Sequence, residues 1–204
     1  MVKVTIIDYG SGNLFSIKNA LEYLGYRSEI TDSPKKIAKS KICILPGVGA
    51  FDASMRIIKK KKIFESVCEV NDKKNKILGI CLGMQLLCQS STENIFSKGF
   101  NFINLKVDKF KKKKNFKYPH VGFNNISNNK NMRILKYLPS NPDFYFDHSL
   151  RTSITNKLDV ETSITNYGEN FVSCFEKDNI FGTQFHPEKS KTNGLKLLSN
   201  FIKC

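Results

Sequence analysis

The stretch Ile77-Leu78-Gly79-Ile80-Cys81-Leu82-Gly83 is the part of the sequence that decides the fold. Its first four residues are apolar or small, which is typical of a strand buried on both faces of a parallel sheet. A helix is then predicted from Leu82 to about Gln89. A cysteine between two glycines, at the change from strand to helix, is the thiol version of the nucleophile elbow. The pattern predicts an α/β protein with Cys81 at the end of a buried strand.

The segments before this stretch alternate between strand and helix. A β-branched segment at positions 2–8 leads into a glycine-rich turn, and apolar residues at three- and four-residue steps then predict a helix closed by Gly25. Further strands are expected at 26–30 and at 42–45, the latter ending in Pro46-Gly47-Val48-Gly49. Buried strands alternating with helices imply a parallel sheet.

The second half of the chain has a different pattern. Positions 95–176 contain shorter segments interrupted by polar residues, which resemble antiparallel strands and connecting loops. A last helix is predicted near the C-terminus, where Leu195, Leu198, Phe201 and Ile202 form one apolar face. No internal repeat or long linker interrupts the chain, so we expect a single domain over residues 1–204.

Length and composition are typical of a globular protein. Of the 204 residues, 40% are hydrophobic and 25% charged. No apolar run approaches the ~18 residues that span a bilayer, so no membrane contact is expected. The apolar start is interrupted at Asp8, so no export signal is evident and we expect a cytoplasmic location. The six cysteines are expected to be reduced, and without a CxxC pair or clustered histidines no metal site is expected.

The formal charge of +15 raises the question of nucleic-acid binding. The densest basic runs are at positions 59–62 and 111–114, and we interpret both as solvated surface or loop. Lysine greatly outnumbers arginine, and asparagine and isoleucine are abundant, which indicates a composition bias of the whole chain. No nucleic-acid partner is therefore expected, and the role of the charge stays open.

A second candidate motif is Gly182-Thr183-Gln184-Phe185-His186-Pro187-Glu188. In an extended chain, residues i and i+2 point to the same side, so Glu188 is expected to orient the imidazole of His186. His186 would then take a proton from Cys81, as in a catalytic triad. Taken alone, the His-Pro-Glu tripeptide is typical of a surface turn, and Cys81 is typical of a buried core cysteine. Together the two motifs supply every part of a thiol hydrolase.

Both motifs resemble those of class I glutamine amidotransferases. The matching segments are Gly-Ile-Cys-Leu-Gly-Met-Gln at 79–85 and Gln-Phe-His-Pro-Glu-Lys-Ser at 184–190. The segments at 7–14 and 45–51 are similar to those of the glutaminase subunits of imidazole glycerol phosphate synthases, and the likeness spans essentially the full chain. It implies a flavodoxin-like three-layer α/β fold, with a mostly parallel central sheet, helices on both faces and a smaller antiparallel sheet. No cofactor is implied.

The resemblance also implies roles for individual residues. Cys81, His186 and Glu188 would hydrolyse L-glutamine to glutamate and ammonia. The oxyanion would be stabilised by the backbone N–H of Leu82 and by one from the strand containing Gly47, Val48 and Gly49. The residues implied to hold glutamine are Gly49, Gln85, His148 and Ser149.

A partner is implied as well. It is a cyclase (synthase) subunit with a (β/α)8 barrel, which forms a heterodimer with the glutaminase and receives its ammonia for histidine biosynthesis. Gly12, Asn13 and Lys189 would lie at the interface.

Some positions depart from the family pattern and leave alternatives open. Asp147 stands where a small apolar residue is usual, and Leu150 where a tyrosine is common. Phe123 replaces a tryptophan common in the histidine-pathway subunits, and a related branch that serves surface-polysaccharide sugar amidation often has phenylalanine there. His120 is expected to be structural. A stand-alone thiol hydrolase or peptidase and a non-catalytic binding module are the alternatives from other classes.

Overall fold

The computed structural model describes residues 3–111, 116–127, 129–154 and 160–204. Position 2 of the first predicted strand and positions 112–114 of the second basic run lie outside the described residues. The first basic run, at 59–62, is exposed at every position, as predicted.

The helices and strands follow one another in chain order, with two short 3-10 turns at Arg133–Leu135 and Pro187–Lys189. In the described part of the chain they are β1 (Lys3–Ile7), α1 (Leu14–Tyr23), β2 (Arg27–Thr31), α2 (Pro34–Ala38), β3 (Ile42–Leu45), α3 (Phe51–Lys60), α4 (Ile63–Asp72), β4 (Lys76–Ile80), α5 (Leu82–Leu87), β5 (Cys88–Ser91), β6 (Ser97–Lys98), β7 (Ile103–Lys109), β8 (His120–Asn125), β9 (Asp143–His148), β10 (Leu150–Thr152), β11 (Glu161–Tyr167), β12 (Glu169–Lys177), β13 (Ile180–Thr183) and α6 (Lys191–Lys203).

The parallel part of the main sheet is formed by four strands of the first half of the chain and by β13, near the C-terminus. Its strand order is β2-β1-β3-β4-β13, and every neighbouring pair is parallel. Alternate side chains point to opposite faces, so Ile44 packs in a cluster with α1 and α6 while Cys43 and Leu45 pack with α2, α3 and α4. Helices on both faces of a buried parallel sheet confirm the predicted α/β layering.

The antiparallel strands of the second half are divided between two sheets. Most of them extend the main sheet beyond β13 in the order β12-β10-β7-β5-β6, with β11 paired to β12. Within this extension β5 is the exception, because it pairs in parallel with β7. A separate two-stranded antiparallel sheet is formed by β8 and β9, in a register that places His120 opposite His148. The smaller antiparallel sheet implied by the resemblance is this pair, which lies beside the candidate site.

The predicted end of the helix after Cys81 was wrong. The sequence pattern placed it near Gln89, but α5 ends at Leu87 and a strand begins at Cys88. The carbonyl oxygens of Leu86 and Leu87 accept hydrogen bonds from the backbone N–H groups of Phe100 and Phe102, at 2.8 and 3.0 Å. These tertiary bonds take up the last carbonyls of α5 and begin the pairing with β7.

Candidate active site

Cys81 lies at a strained turn between β4 and α5. Its backbone angles are φ 54° and ψ −112°, a region that residues other than glycine rarely adopt. The turn is held because the Cys81 N–H donates to the carbonyl of Thr183 at the end of β13, at 2.7 Å. A Cβ atom on Gly79 would lie 2.6 Å from the carbonyl of Gly83. The two glycines are therefore required for the helix to begin so close to the strand.

The side chains of His186 and Glu188 do meet, but the prediction that an extended chain brings them together was wrong. The segment is not extended past His186, because Pro187–Lys189 forms a 3-10 turn. This turn is closed by hydrogen bonds from Lys189 N–H and Ser190 Oγ to the carbonyl of His186, at 3.1 and 2.6 Å. It brings Glu188 Oε1 to 2.8 Å from His186 Nδ1, so the predicted base and the carboxylate predicted to orient it are in contact.

His186 is buried between the other two members of the predicted triad. Burial alone lowers the pKa of His186, but hydrogen bonds that the imidazole donates to the Cys81 sulfur and the Glu188 carboxylate outweigh it and raise the pKa from 6.5 to about 10. The Glu188 side chain is only 1% exposed, and its second oxygen has no hydrogen-bond partner among the described residues. A protonated imidazole is the group that balances this buried carboxylate.

A cavity of about 390 Å³ opens beside Cys81. All four residues predicted to hold glutamine line it, together with Glu93: Gly49, Gln85, His148 and Ser149. Sequence reasoning did not identify Glu93, whose Oε2 also accepts the backbone N–H of Phe51 at 2.7 Å. Glu93 lies in a loop after β5 and has no local pattern around it, so only the tertiary structure places its carboxylate at the cavity.

The segment predicted to supply an oxyanion donor lies against the elbow. A Cβ atom on Gly47 would be 2.9 Å from Leu82 Cβ, so this strand end packs directly on the start of α5. The Val48 N–H, however, donates to Ser11 Oγ at 3.2 Å, and the Ser11 hydroxyl donates back to the Val48 carbonyl. Gly12 of the same loop packs beside Pro46. The predicted partner-facing loop therefore holds the predicted oxyanion segment.

Comparisons with known proteins agree with this geometry. Residues 5–204 match the family model of glutamine amidotransferase class-I. The chain is 43% identical to imidazole glycerol phosphate synthase subunit HisH 2 of Methanococcus maripaludis and 45% identical to the HisH subunit of Buchnera aphidicola. Each alignment covers 98% of this chain and 98% of the relative. The chain belongs to the class-I glutamine amidotransferases.

Solved structures support the same fold. A putative GMP synthase protein from Thermoplasma acidophilum aligns with a TM-score of 0.73 at 23% identity, covering 100% of this chain and 93% of that one. The PurLQS structure from Thermotoga maritima gives 0.73 at 17% identity, covering 99% and 98%. Together with the family match, this architecture makes the chain an enzyme of the glutamine amidotransferase type. The roles of its individual residues stay predictions.

Two buried histidines of this amidotransferase connect the small sheet to the cavity. His148 Nδ1 lies 2.6 Å from the carbonyl oxygen of Leu150, so it carries the hydrogen and donates. His148 Nε2 is then an acceptor and receives a hydrogen bond of 3.0 Å from His120 Nδ1. His120 also stacks on Tyr167 at 3.9 Å between ring centroids. The prediction that His120 is structural agrees with these contacts, and both ring nitrogens of His148 are engaged by His120 and Leu150.

These histidines predict a loss of stability in mild acid. Burial lowers the pKa of His148 from 6.5 to about 3 and that of His120 to about 4. As pH falls below 6.5, the unfolded chain takes up a proton at His148 that the folded protein does not, which lowers the free energy of unfolding by up to about 1.4 kcal/mol per pH unit. We expect denaturant unfolding to show this loss between about pH 7 and about pH 5. His148→Gln should show a smaller slope, and an unchanged slope would contradict the assignment.

An aromatic and cationic surface lies next to the site of the amidotransferase. Lys189 Nζ lies 5.4 Å from the ring centroid of Tyr145, and Lys191 Nζ lies 5.0 Å from that of Phe123. The two rings contact each other edge to face at 5.7 Å, and Phe123 is 45% exposed. Of the residues predicted at the interface, Lys189 is exposed and both Gly12 and Asn13 are half-buried.

The described residues form neither a metal-binding cluster nor a helix that could span a membrane. Within residues 3–111, 116–127, 129–154 and 160–204, no group of three or more His, Cys, Asp or Glu side chains is arranged to hold a metal ion. No helix in that part of the amidotransferase is long and apolar enough to cross a membrane.

Proposed function

We propose that this chain is the glutaminase subunit of an imidazole glycerol phosphate synthase. It would hydrolyse L-glutamine and pass the ammonia to a cyclase subunit with a (β/α)8 barrel, which makes imidazole glycerol phosphate and aminoimidazole carboxamide ribonucleotide. The observation that carries the proposal is the strained Cys81 elbow beside the buried His186–Glu188 pair, at the mouth of a cavity. The names of the relatives, at 43% and 45% identity over nearly the full chain, favour this pathway over sugar amidation.

The proposed chemistry begins with the Cys81 thiolate, which attacks the side-chain amide carbon of glutamine. His186 holds the thiol proton and gives it to the leaving nitrogen, so ammonia departs and a glutamyl thioester remains. A water molecule, deprotonated by His186, then attacks the thioester and releases glutamate. Glu188 keeps the imidazole oriented and stabilises its positive charge.

The lining of the cavity supports recognition of an amino acid. Glu93 lines the cavity, and its carboxylate would pair with the α-ammonium group of the substrate. The segment around Ser149, where the chain passes from β9 to β10, offers backbone groups to the α-carboxylate, as the resemblance implies. A single domain and the cytoplasmic location expected from the sequence are part of the proposal.

The partner would dock on the face that carries the loop at positions 10–13 and the Lys189–Tyr145 contact. The Phe123 ring extends the same face, so the contact between the two aromatic rings lies beside the ammonium groups of Lys189 and Lys191. A stand-alone hydrolase has no use for such a surface beside its active site. A non-catalytic binding module has no need of an intact Cys81–His186–Glu188 arrangement.

The test is reconstitution with candidate partners. The chain is mixed with the barrel cyclase of the histidine pathway from the same genome, and separately with a sugar-amidating synthase from that genome if one is encoded. We expect a one-to-one complex with the cyclase by size-exclusion chromatography, and glutamine-dependent conversion of the histidine-pathway ribonucleotide. A complex and ammonia transfer only with the sugar-amidating synthase would overturn the pathway, while retained glutamine hydrolysis would still support the glutaminase activity.

A further inference from the structure

Besides His186, the side chain of Gln184 reaches the sulfur of Cys81. Gln184 follows directly after β13, two residues before His186, and is fully buried. Its Nε2 lies 3.7 Å from Cys81 Sγ, within hydrogen-bonding distance for a sulfur acceptor. The sequence motif contained Gln184, but neither its pattern nor the mechanism proposed above uses it.

The surrounding hydrogen bonds determine which end of the Gln184 amide faces the sulfur. The carbonyl oxygen of Leu150 can only accept, and it lies 3.4 Å from Gln85 Nε2. The Gln85 amide nitrogen therefore points toward this region and donates its other hydrogen to Gln184 Oε1, at 2.9 Å. Since the oxygen of Gln184 is occupied by Gln85, its NH₂ group must face Cys81. The backbone carbonyl of Leu150 thus determines the direction of both side-chain hydrogen bonds, from Gln85 to Gln184 and from Gln184 to Cys81.

We propose that Gln184 is a further catalytic residue, whose amide donates a hydrogen bond to the Cys81 sulfur, and that Gln85 is a positioning residue that holds this amide in place. The proposal rests on the nucleophile assigned under Proposed function. Gln184 transfers no proton. It donates to the thiolate before attack and again to the sulfur as thiolate character returns when the thioester breaks.

Burial makes this donor effective. Gln184 is 0% exposed and Gln85 is 3% exposed, so water does not compete for the sulfur from this side. A hydrogen bond to an ionised group favours the ionised form over the neutral form by about tenfold or more. Sulfur is a weak acceptor, so we expect the lower end of this range for the Cys81 thiolate. Losing the donor should therefore move the pH at which Cys81 becomes reactive upward by about one unit.

The experiment measures alkylation of Cys81 by iodoacetamide as a function of pH, in the isolated full chain, with the Cys81 peptide quantified by mass spectrometry. Gln184→Leu should move the midpoint upward by about one pH unit. Gln184→Glu, which is nearly the same shape but places a carboxylate against the sulfur, should move it further. Gln85→Leu, which frees the Gln184 amide to turn, should give a smaller upward shift. In the cyclase complex, Gln184→Leu should lower kcat by about tenfold with KM for glutamine little changed.

The matched control is Gln89→Leu on β5, a half-buried glutamine with no assigned part in the site, whose alkylation profile should equal that of the unmodified protein. Thermal unfolding checks that each variant is folded. If the midpoint pH of Cys81 alkylation is unchanged in both Gln184→Glu and Gln85→Leu, the proposal is overturned, whatever the result for Gln184→Leu. Because alkylation needs neither glutamine nor partner, this outcome is separate from a failure of the glutaminase assignment, which would appear as no glutamate release by the unmodified complex.

Discussion

Replacing Cys81 by serine is expected to abolish glutamine-dependent synthesis by the complex, by about four orders of magnitude or more. The reason is that the Cys81 sulfur is the only thiol at the cavity, within the residues the structure describes, and a serine hydroxyl is a far weaker nucleophile at neutral pH. Ammonia-dependent synthesis should be retained, since the cyclase does not need the thiol. The measurement is product formation by the complex with glutamine and, separately, with an ammonium salt.

Two further variants make this result specific. Cys68→Ser on α4, which changes a half-buried cysteine remote from the cavity, should leave both activities intact. The double variant Cys81→Ser, His186→Ala should be little worse than Cys81→Ser alone, because the two groups act as one unit. Glutamine hydrolysis retained in Cys81→Ser would refute the assignment of Cys81 as the nucleophile. Additive losses in the double variant would show that Cys81 and His186 do not act together.

The second large effect is activation by the partner. We expect the isolated chain to be a poor glutaminase, and the cyclase with its bound acceptor to raise glutamate release by about 10²–10³-fold. The Val48 N–H donates to Ser11 Oγ and so is not available to an oxyanion in this conformation. One correctly placed oxyanion donor contributes roughly 3 to 4 kcal/mol, so turning this single peptide is enough to act as the switch.

Ser11→Ala tests the switch directly in the isolated chain. Without the hydroxyl, the backbone N–H and the carbonyl of Val48 both lose their hydrogen bonds to Ser11, and basal glutamate release should rise roughly threefold to tenfold. Ser97→Ala, on strand β6 at the edge of the sheet, is the matched control and should change nothing. Turnover that is already high in the free chain, and the same with cyclase and acceptor, would reject gating.

Local patterns were sufficient to predict most of the fold and to nominate the candidate catalytic residues. Continuous apolar runs predicted β3 and β4 because a strand covered on both faces has no polar side. The glycines around Cys81 predicted the elbow because a Cβ atom at Gly79 or Gly83 has no room where helix and strand meet. His186 and Glu188 were found for a partly wrong reason, since a 3-10 turn rather than extended chain joins them.

What only the tertiary structure decided are the contacts between residues far apart in sequence. The end of α5 at Leu87 depends on backbone hydrogen bonds from a later loop, and the Glu93 carboxylate reaches the cavity only after the sheet has formed. The orientation of the Gln184 amide depends in the same way on the carbonyl of Leu150. A hydrogen bond across the fold leaves no periodicity or spacing in the chain. The sequence by itself therefore determined which groups are proposed to react, and the tertiary packing determined which contacts hold them in place.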